Sequence, residues 1–237
     1  RRGKHVNISS MRTPPIKNLQ LFLFWIKIGI SWNAITEWRF SKLNYEQTLA
    51  RLCALSGPSG FEEAVAEAAA ELLRPLTDEV YFTRLGSVAG VRRCGRANAP
   101  KLLLDAHLDE IGFIVTGHEE GFLRFAALGG VDPRMLPGRE ITLMARPPVP
   151  GVVICLPPHI QEDGDMDKAV PVKDLCIDVG LSQEEARRRV PTGTPGAYRG
   201  GCAPLGEELL CGKALDDRCG FAVLLDVLER LQGKELD

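Results

Sequence analysis

The chain has 237 residues, with 45% apolar and 25% charged side chains and a formal net charge of −2. Those proportions exclude collagen-like, disordered and disulfide-scaffold classes, and the length holds one large domain or two modest ones, either with enough interior for a core. The near-neutral balance also removes the basic surface on which phosphate binding depends, so no nucleic-acid partner is expected.

The average conceals a break near residue 45. Residues 1–45 carry eight Lys/Arg against the single acid Glu37, and they hold all three tryptophans, Trp25, Trp32 and Trp38. The remaining chain has 21 bases and 30 acids and is therefore acidic. Residues 19–26 (LQLFLFWI) follow Arg1, Arg2, Lys4, Arg12 and Lys17 in the manner of a secretory signal. Lys27 interrupts that run, no small-x-small cleavage site follows, and a spanning helix needs about 20 apolar residues. Residues 1–43 are thus expected to be an extension foreign to the rest, not a signal and not a membrane anchor. The seven cysteines form no CxxC pair and leave an odd count, which points to reduced, buried thiols in a cytoplasmic protein and not to a disulfide framework or a thiolate zinc site.

From about residue 46 the pattern is regular. Leu49, Leu52, Cys53 and Leu55 recur at helical spacing and the stretch stops at Ser56-Gly57-Pro58. Ser59 and Glu62 fit a capping box ahead of an Ala-rich helix that runs to Leu73 and is closed by Pro75. Two short strands, 79–83 and 87–92, are joined through a turn at Gly86. Residues 101–104 (KLLL) are apolar without alternation and predict a buried strand, with the polar sequence DAHLDE directly after it. Sites in α/β sheets gather beyond the carboxyl ends of strands, which is where Asp105, His107, Asp109 and Glu110 are expected.

Between about 113 and 206 the runs IGFIVT, FLRFAAL, EITLM and GVVICL alternate with Gly and Pro. Short strands with close turns predict a small barrel or sandwich inserted into the α/β domain. One helix interrupts it, capped by Ser182 with Glu185 three residues on. Asp216-Asp217 then precede a helix whose Phe221, Leu224, Leu225, Leu228 and Leu231 form an apolar face. Carboxylates at a helix start suit the positive end of its dipole.

Four histidines bound the choices: His5, His107, His118 and His159. A metal-ligating imidazole needs its other ring nitrogen fixed by an acceptor, and Asp109, two residues after His107, can supply it. A partly buried His paired with an acid for stability gives the same spacing. Asp216-Asp217 are likewise either solvated helix-start acids or, in part, a carboxylate bridging two cations that share one water. His118 and His159 are expected to serve the insert. The phosphate-loop reading of GEELLCGK (206–213) fails, since Ala214 stands where Ser or Thr is needed. The acidic pairs Glu62-Glu63, Glu119-Glu120, Glu184-Glu185 and Glu207-Glu208 are solvated faces or caps.

Taken together, SGPSGFE (56–62), LLLDAHLDEIGFIV (102–115), GGVDPRML (129–136), PPH (157–159) and GKALDDRCG (212–220) resemble the tetrahedral-aminopeptidase or glutamyl-aminopeptidase family, family forty-two of the metallopeptidases, from about residue 44 to the last residue. The resemblance implies an α/β fold: a phosphorylase/hydrolase-like three-layer catalytic domain, here incomplete, interrupted by a small β-barrel-like domain used for assembly. Its parts would be a leader (1–43), catalytic segments (44–112 and 207–237) and the insert (113–206). It further implies that His107 ligates one of two divalent metal ions, zinc or cobalt with manganese also compatible. Asp109 orients that imidazole as the catalytic position, Asp216 bridges both metals, and the Asp216-Asp217 bond is cis.

The implied activity is removal of N-terminal residues from peptides by a metal-activated water, in a cytoplasmic homo-oligomer with no membrane partner. The family pattern continues past the final helix here with a Glu-Glu pair, an Asp and a His that complete the metal shells and supply the proton shuttle. The chain is thus expected to be an N-terminal portion of such an enzyme. The alternative is a catalytically inactive truncated homologue acting only in self-association or hetero-assembly.

Overall fold

The structure is a computed structural model that describes residues 43–155, 169–207 and 209–234. The leader up to residue 42, His159 and Glu208 lie outside the described residues. Helix α1 (Tyr45–Ala54) starts where the Asn44 side chain accepts a hydrogen bond from the backbone N–H of Gln47, as a capping residue should. It buries Leu49, Leu52 and Cys53, the stripe its spacing predicts. Helix α2 (Glu63–Leu73) buries Val65, Ala66, Ala68, Ala69, Ala70 and Leu73. A single 3-10 turn at Arg74–Leu76, carrying Pro75, ends it. Its start departs from the expected capping box. The cap position is Glu62 and makes no side-chain cap bond, while the Glu62 carboxylate instead accepts from the backbone of Gly60. Ser59 is thereby free for another partner.

Strands β1 (Glu79–Phe82) and β2 (Val88–Val91) form the expected antiparallel hairpin. Residues 101–104 correct the sequence reading, because they form no strand, and Leu102 and Leu103 are 81% and 86% exposed. An apolar run becomes a buried strand only where neighbours accept its ladder bonds and cover its faces, and among the described residues none pairs with it.

Strands β3 (Gly112–Glu119), β4 (Phe122–Leu128), β5 (Glu140–Leu143), β6 (Val149–Ile154), β7 (Cys176–Asp178) and β8 (Pro195–Tyr198) close into an antiparallel barrel in the order β3-β4-β7-β6-β5-β8. Closure leaves no open edge. Inward positions fill its core with Phe113, Val115, Leu123, Ile141, Leu143 and Ile177, all 0–1% exposed. The ring of Phe113 meets those of Phe125 and Tyr198 edge-on, with centroids 5.4 and 5.2 Å apart. Helix α3 (Gln183–Arg189) caps as expected, the Ser182 hydroxyl accepting from the Glu185 N–H. His118 bonds through Nε2 to the Val190 carbonyl, which fits its assignment to the insert.

The chain leaves the barrel through a hairpin of β9 (Cys202–Leu205) and β10 (Leu209–Gly212) and enters α4 (Leu215–Arg230). Phe221 and Leu225 of α4 join Leu52, Val65, Ala68, Ala69 and Leu73 in a second, smaller core. Where barrel and helices meet, Pro58 lies against Gly112, where a Cβ would come within 2.3 Å of the proline ring; only glycine permits this approach. The result is an α/β protein with a closed six-stranded barrel. Among the described residues no helix is long and apolar enough to cross a membrane. All seven cysteines are free thiols, but Cys53 alone is buried and Cys211 and Cys219 are exposed, so the expectation of uniformly buried thiols does not hold. Burial pushes the Cys53 thiol up to about 11.

Candidate active site

The loop at residues 105–110 and the turn at 213–218 converge although they are far apart in sequence. His107 stands between two carboxylates: Nδ1 lies 2.9 Å from Asp109 Oδ1, and Nε2 lies 3.2 Å from Asp216 Oδ1. The His107 and Asp216 side chains are 55% and 96% exposed, so the group faces solvent. It lines a cleft of about 490 Å³ together with Ser59, Lys213 and, from the barrel, Tyr198. All three residues singled out as catalytic or ligating, His107, Asp109 and Asp216, are therefore neighbours. Asp105, grouped with them by sequence, is exposed and does not line the cleft.

Local backbone geometry explains the placement of Asp216. The Asp216-Asp217 peptide bond is cis, Ala214 has a positive φ of 57°, and Asp216 and Asp217 have non-helical angles. Regular helix thus begins after them. Asp217 caps it, Oδ1 accepting from the Gly220 N–H at 3.1 Å. Any side chain at 220 would collide with that carboxylate, since a Cβ there falls 2.3 Å from Oδ1. Asp217 is occupied by the helix while Asp216 points to His107, so the adjacent acids have different tasks.

The floor of the cleft is formed in part by a buried charge cluster. Glu110 was expected beside His107 and Asp109 but lies under them, with its carboxylate taking both bonds from Lys213 Nζ at 2.7 and 2.9 Å. Glu110 also exchanges two bonds with Gly57, through its own N–H to the Gly57 carbonyl and from the Gly57 N–H to Oε1. Arg218, fully buried, donates through Nη1 to the carbonyls of Leu52 and Leu55 and through Nε to that of Leu108. Lys213 reaches the Leu55 carbonyl as well. The last carbonyls of a helix lack intrahelical partners and favour cations, so the end of α1 binds both. Burial pulls the Lys213 and Arg218 pKa values down, and Glu110 opposes this in each.

These anchors alternate with the cleft residues along the chain: Leu108 and Glu110 flank Asp109, and Lys213 and Arg218 flank Asp216. The sequence did carry a signal for them, namely a Lys, an Arg and a Glu each one to three residues from a singled-out carboxylate or imidazole. Charge alone did not say that they were inside. Ser59 is a further residue that sequence reasoning assigned elsewhere: its hydroxyl donates to Asp109 Oδ2.

The donor set fits a divalent cation in one respect. A neutral imidazole has one N–H, so a ring whose two nitrogens both face carboxylate oxygens leaves a lone pair against an acceptor, unless the ring is protonated or a cation lies on that side. Two donors each about 2.0–2.1 Å from a zinc ion on a tetrahedral angle are about 3.3–3.4 Å apart, close to the His107–Asp216 separation. Among the described residues no group of three or more His, Cys, Asp or Glu could hold a metal, so the fit covers two donors of one shell.

The sequence profile of M42 glutamyl aminopeptidases matches residues 86–237. FrvX of Escherichia coli (strain K12) is 33% identical over 195 residues, which are 80% of this chain and 54% of that protein. A crystal structure of a TET aminopeptidase from the marine sediment archaeon Thaumarchaeota archaeon SCGC AB-539-E09 shares 31% identity with a TM-score of 0.76, over 81% of this chain and 55% of that one. The TET1 peptidase of Pyrococcus horikoshii, described as assembling into a tetrahedron or a large octahedral shell, shares 29% identity with a TM-score of 0.70, over 81% and 58%. The chain spans about half the length of the curated relatives it matches.

Proposed function

The chain belongs to the M42 glutamyl aminopeptidase family, and from that premise we propose that it is part of a metal-dependent aminopeptidase that hydrolyses the N-terminal residues of peptides. The observation that carries this reading is the His107 ring set between Asp109 and Asp216 at the mouth of a cleft. His107 Nε2 and Asp216 would hold divalent metal, with Asp216 as the group shared between two ions, zinc or cobalt or manganese. Asp109 is the positioning carboxylate that accepts a hydrogen bond from the Nδ1–H and so turns the Nε2 lone pair outward, which raises the basicity of the ligand. When bound, the ions supply polarisation of the peptide carbonyl and acidification of a water to near neutral pH.

The chain's own groups do the rest of what is proposed. The exposed carboxylates of the cleft favour the ammonium of a peptide N-terminus, and the Glu110–Lys213–Arg218 cluster holds both site loops in place. Residues 44–112 and 207–237 serve as catalytic segments, part of a three-layer, phosphorylase/hydrolase-like domain, with groups outside the described residues completing the metal shells. The barrel within 113–206 serves assembly, a reading supported by the shells that the Pyrococcus horikoshii TET1 peptidase forms. The absence of disulfides supports a cytoplasmic setting.

Titration of the chain with Co²⁺ tests the ligand assignment. Asp109→Asn is expected to weaken binding by about 10- to 100-fold, the usual cost of losing the acceptor behind a ligating imidazole, and His107→Ala to abolish it. Hydrolysis of an amino-acid anilide by the full-length protein with added Zn²⁺ or Co²⁺ tests the activity, and no turnover under either metal would sink the aminopeptidase reading.

A further inference from the structure

Ser59 belongs to the SGPSG loop, whose sequence reading as a helix cap the structure does not support. Its hydroxyl instead donates to Asp109 Oδ2, while Oδ1 of the same carboxylate faces His107 Nδ1 at 2.9 Å. We infer that Ser59 is a positioning residue: it pins the Asp109 carboxylate so that His107 presents Nε2 toward Asp216 in one fixed orientation.

The need for such a group follows from the torsion it restrains. Rotation of an aspartate carboxylate about χ2 is broad and roughly two-fold, so one hydrogen bond at Oδ1 leaves Asp109 free to swing away from the ring. A second bond to the other oxygen removes that freedom, and because the acceptor is ionised the bond is of the stronger, charge-assisted kind. The hydroxyl is also held in place. Pro58 bridges to Glu110, Gly57 exchanges two hydrogen bonds with the same Glu110, and the Phe61 N–H closes a turn onto the Pro58 carbonyl at 2.8 Å. Ser59 and Asp109 are therefore presented by segments fastened to one buried carboxylate. The side chain of Ser59 is exposed and adds little to either core, so its removal separates positioning from folding.

The inference rests on the ligand reading of His107 for its consequence in metal affinity but not for its geometry, and the test reads both. Ser59→Ala and Ser59→Thr are made in the 237-residue chain. The hydrogen-bonded His107 ring N–H is followed by ¹H–¹⁵N NMR at one fixed pH, and Co²⁺ affinity by calorimetry. In Ser59→Ala the ring N–H signal is expected to broaden through faster exchange with water. Co²⁺ affinity is expected to fall about 3- to 10-fold, less than for loss of the direct partner, and Ser59→Thr to restore both. The melting temperature stays within about 2 °C, as for other exposed substitutions. A wild-type-like ring signal in Ser59→Ala, unchanged Co²⁺ affinity where the wild type binds, or failure of Ser59→Thr to restore either overturns the inference. If the wild type binds no Co²⁺, the ligand reading falls, and the ring signal alone decides whether Ser59 holds Asp109.

Discussion

The barrel and the helical half of this chain bury polar groups in opposite ways. In the barrel, six strands satisfy one another in a closed circuit, and its core is apolar. In the helical half, Glu110, Arg218 and Asp226 are buried, and the first two knot the end of α1, the His107 loop and the Asp216 turn together. One region is held by backbone bonds that almost any apolar filling supports. The other has its own apolar core but joins its site loops through buried side-chain charges. A buried ion pair is a weak source of net stability beside well-packed apolar groups, yet losing one member is severe. Such a cluster makes sense where two loops must be kept in register for a site.

The sharpest way to break this contrast is Glu110→Ala, which leaves the buried cations Lys213 and Arg218 without their shared counter-charge. The expected loss is about 3–5 kcal/mol, read by denaturant unfolding. Native-state hydrogen exchange should show protection lost in α1 and α4 while the barrel strands keep theirs. Equal loss in both regions would mean that they unfold as one unit and that the contrast has no energetic content.

Leu123→Ala is the converse experiment. Leu123 is fully buried in the barrel core, and truncation costs about 2–5 kcal/mol through lost transfer energy and the cavity left behind. Exchange is expected to rise first in β3, β4 and β7, the strands around it, with the His107 loop unaffected. Weaker Co²⁺ binding at temperatures where the barrel is still folded would show instead that the barrel sets the geometry of the site.

What was legible in the sequence follows the same division. Four barrel strands, β3 to β6, and the Ser182 cap could be read directly, the strands from short apolar runs set between Gly and Pro. Strands β7 and β8 are only three and four residues long and carry no such run, and closure depends on the long-range β3–β8 and β4–β7 pairings. His107, Asp109 and Asp216 were legible as residue types with a chemical spacing. Their meeting was implied by the family resemblance and not by any local pattern, because it depends on Glu110, Lys213 and Arg218 turning inward, and no local pattern distinguishes a buried charge from a solvated one. Ser59 was misread for a related reason: a hydroxyl three residues before a glutamate fits a cap, and only the fold brings Asp109 within its reach. Residues 101–104 were misread because an apolar run states what should be covered, not what covers it.

That last segment also gives the smallest effect on folding and the finest test of the comparison. Leu102 and Leu103 stand 81% and 86% exposed outside any strand, in the half whose described hairpins are only two-stranded. Leu103→Lys is expected to leave the stability of the chain within about 0.5 kcal/mol, as for exposed positions generally. It should reduce self-association in light scattering, because a charge breaks up an exposed apolar run on which another copy can pack. Val152→Lys on the barrel's outer face, a position 38% exposed, is the parallel experiment: a larger fall in scattering there would place self-association on the barrel, the part proposed to serve assembly. A loss of more than about 1 kcal/mol in Leu103→Lys, beyond what exposed positions show, would place the leucine inside a packed surface in solution. The helical half would then own a second apolar contact layer beside its α1–α2–α4 core, and its dependence on the Glu110 cluster would be correspondingly weaker.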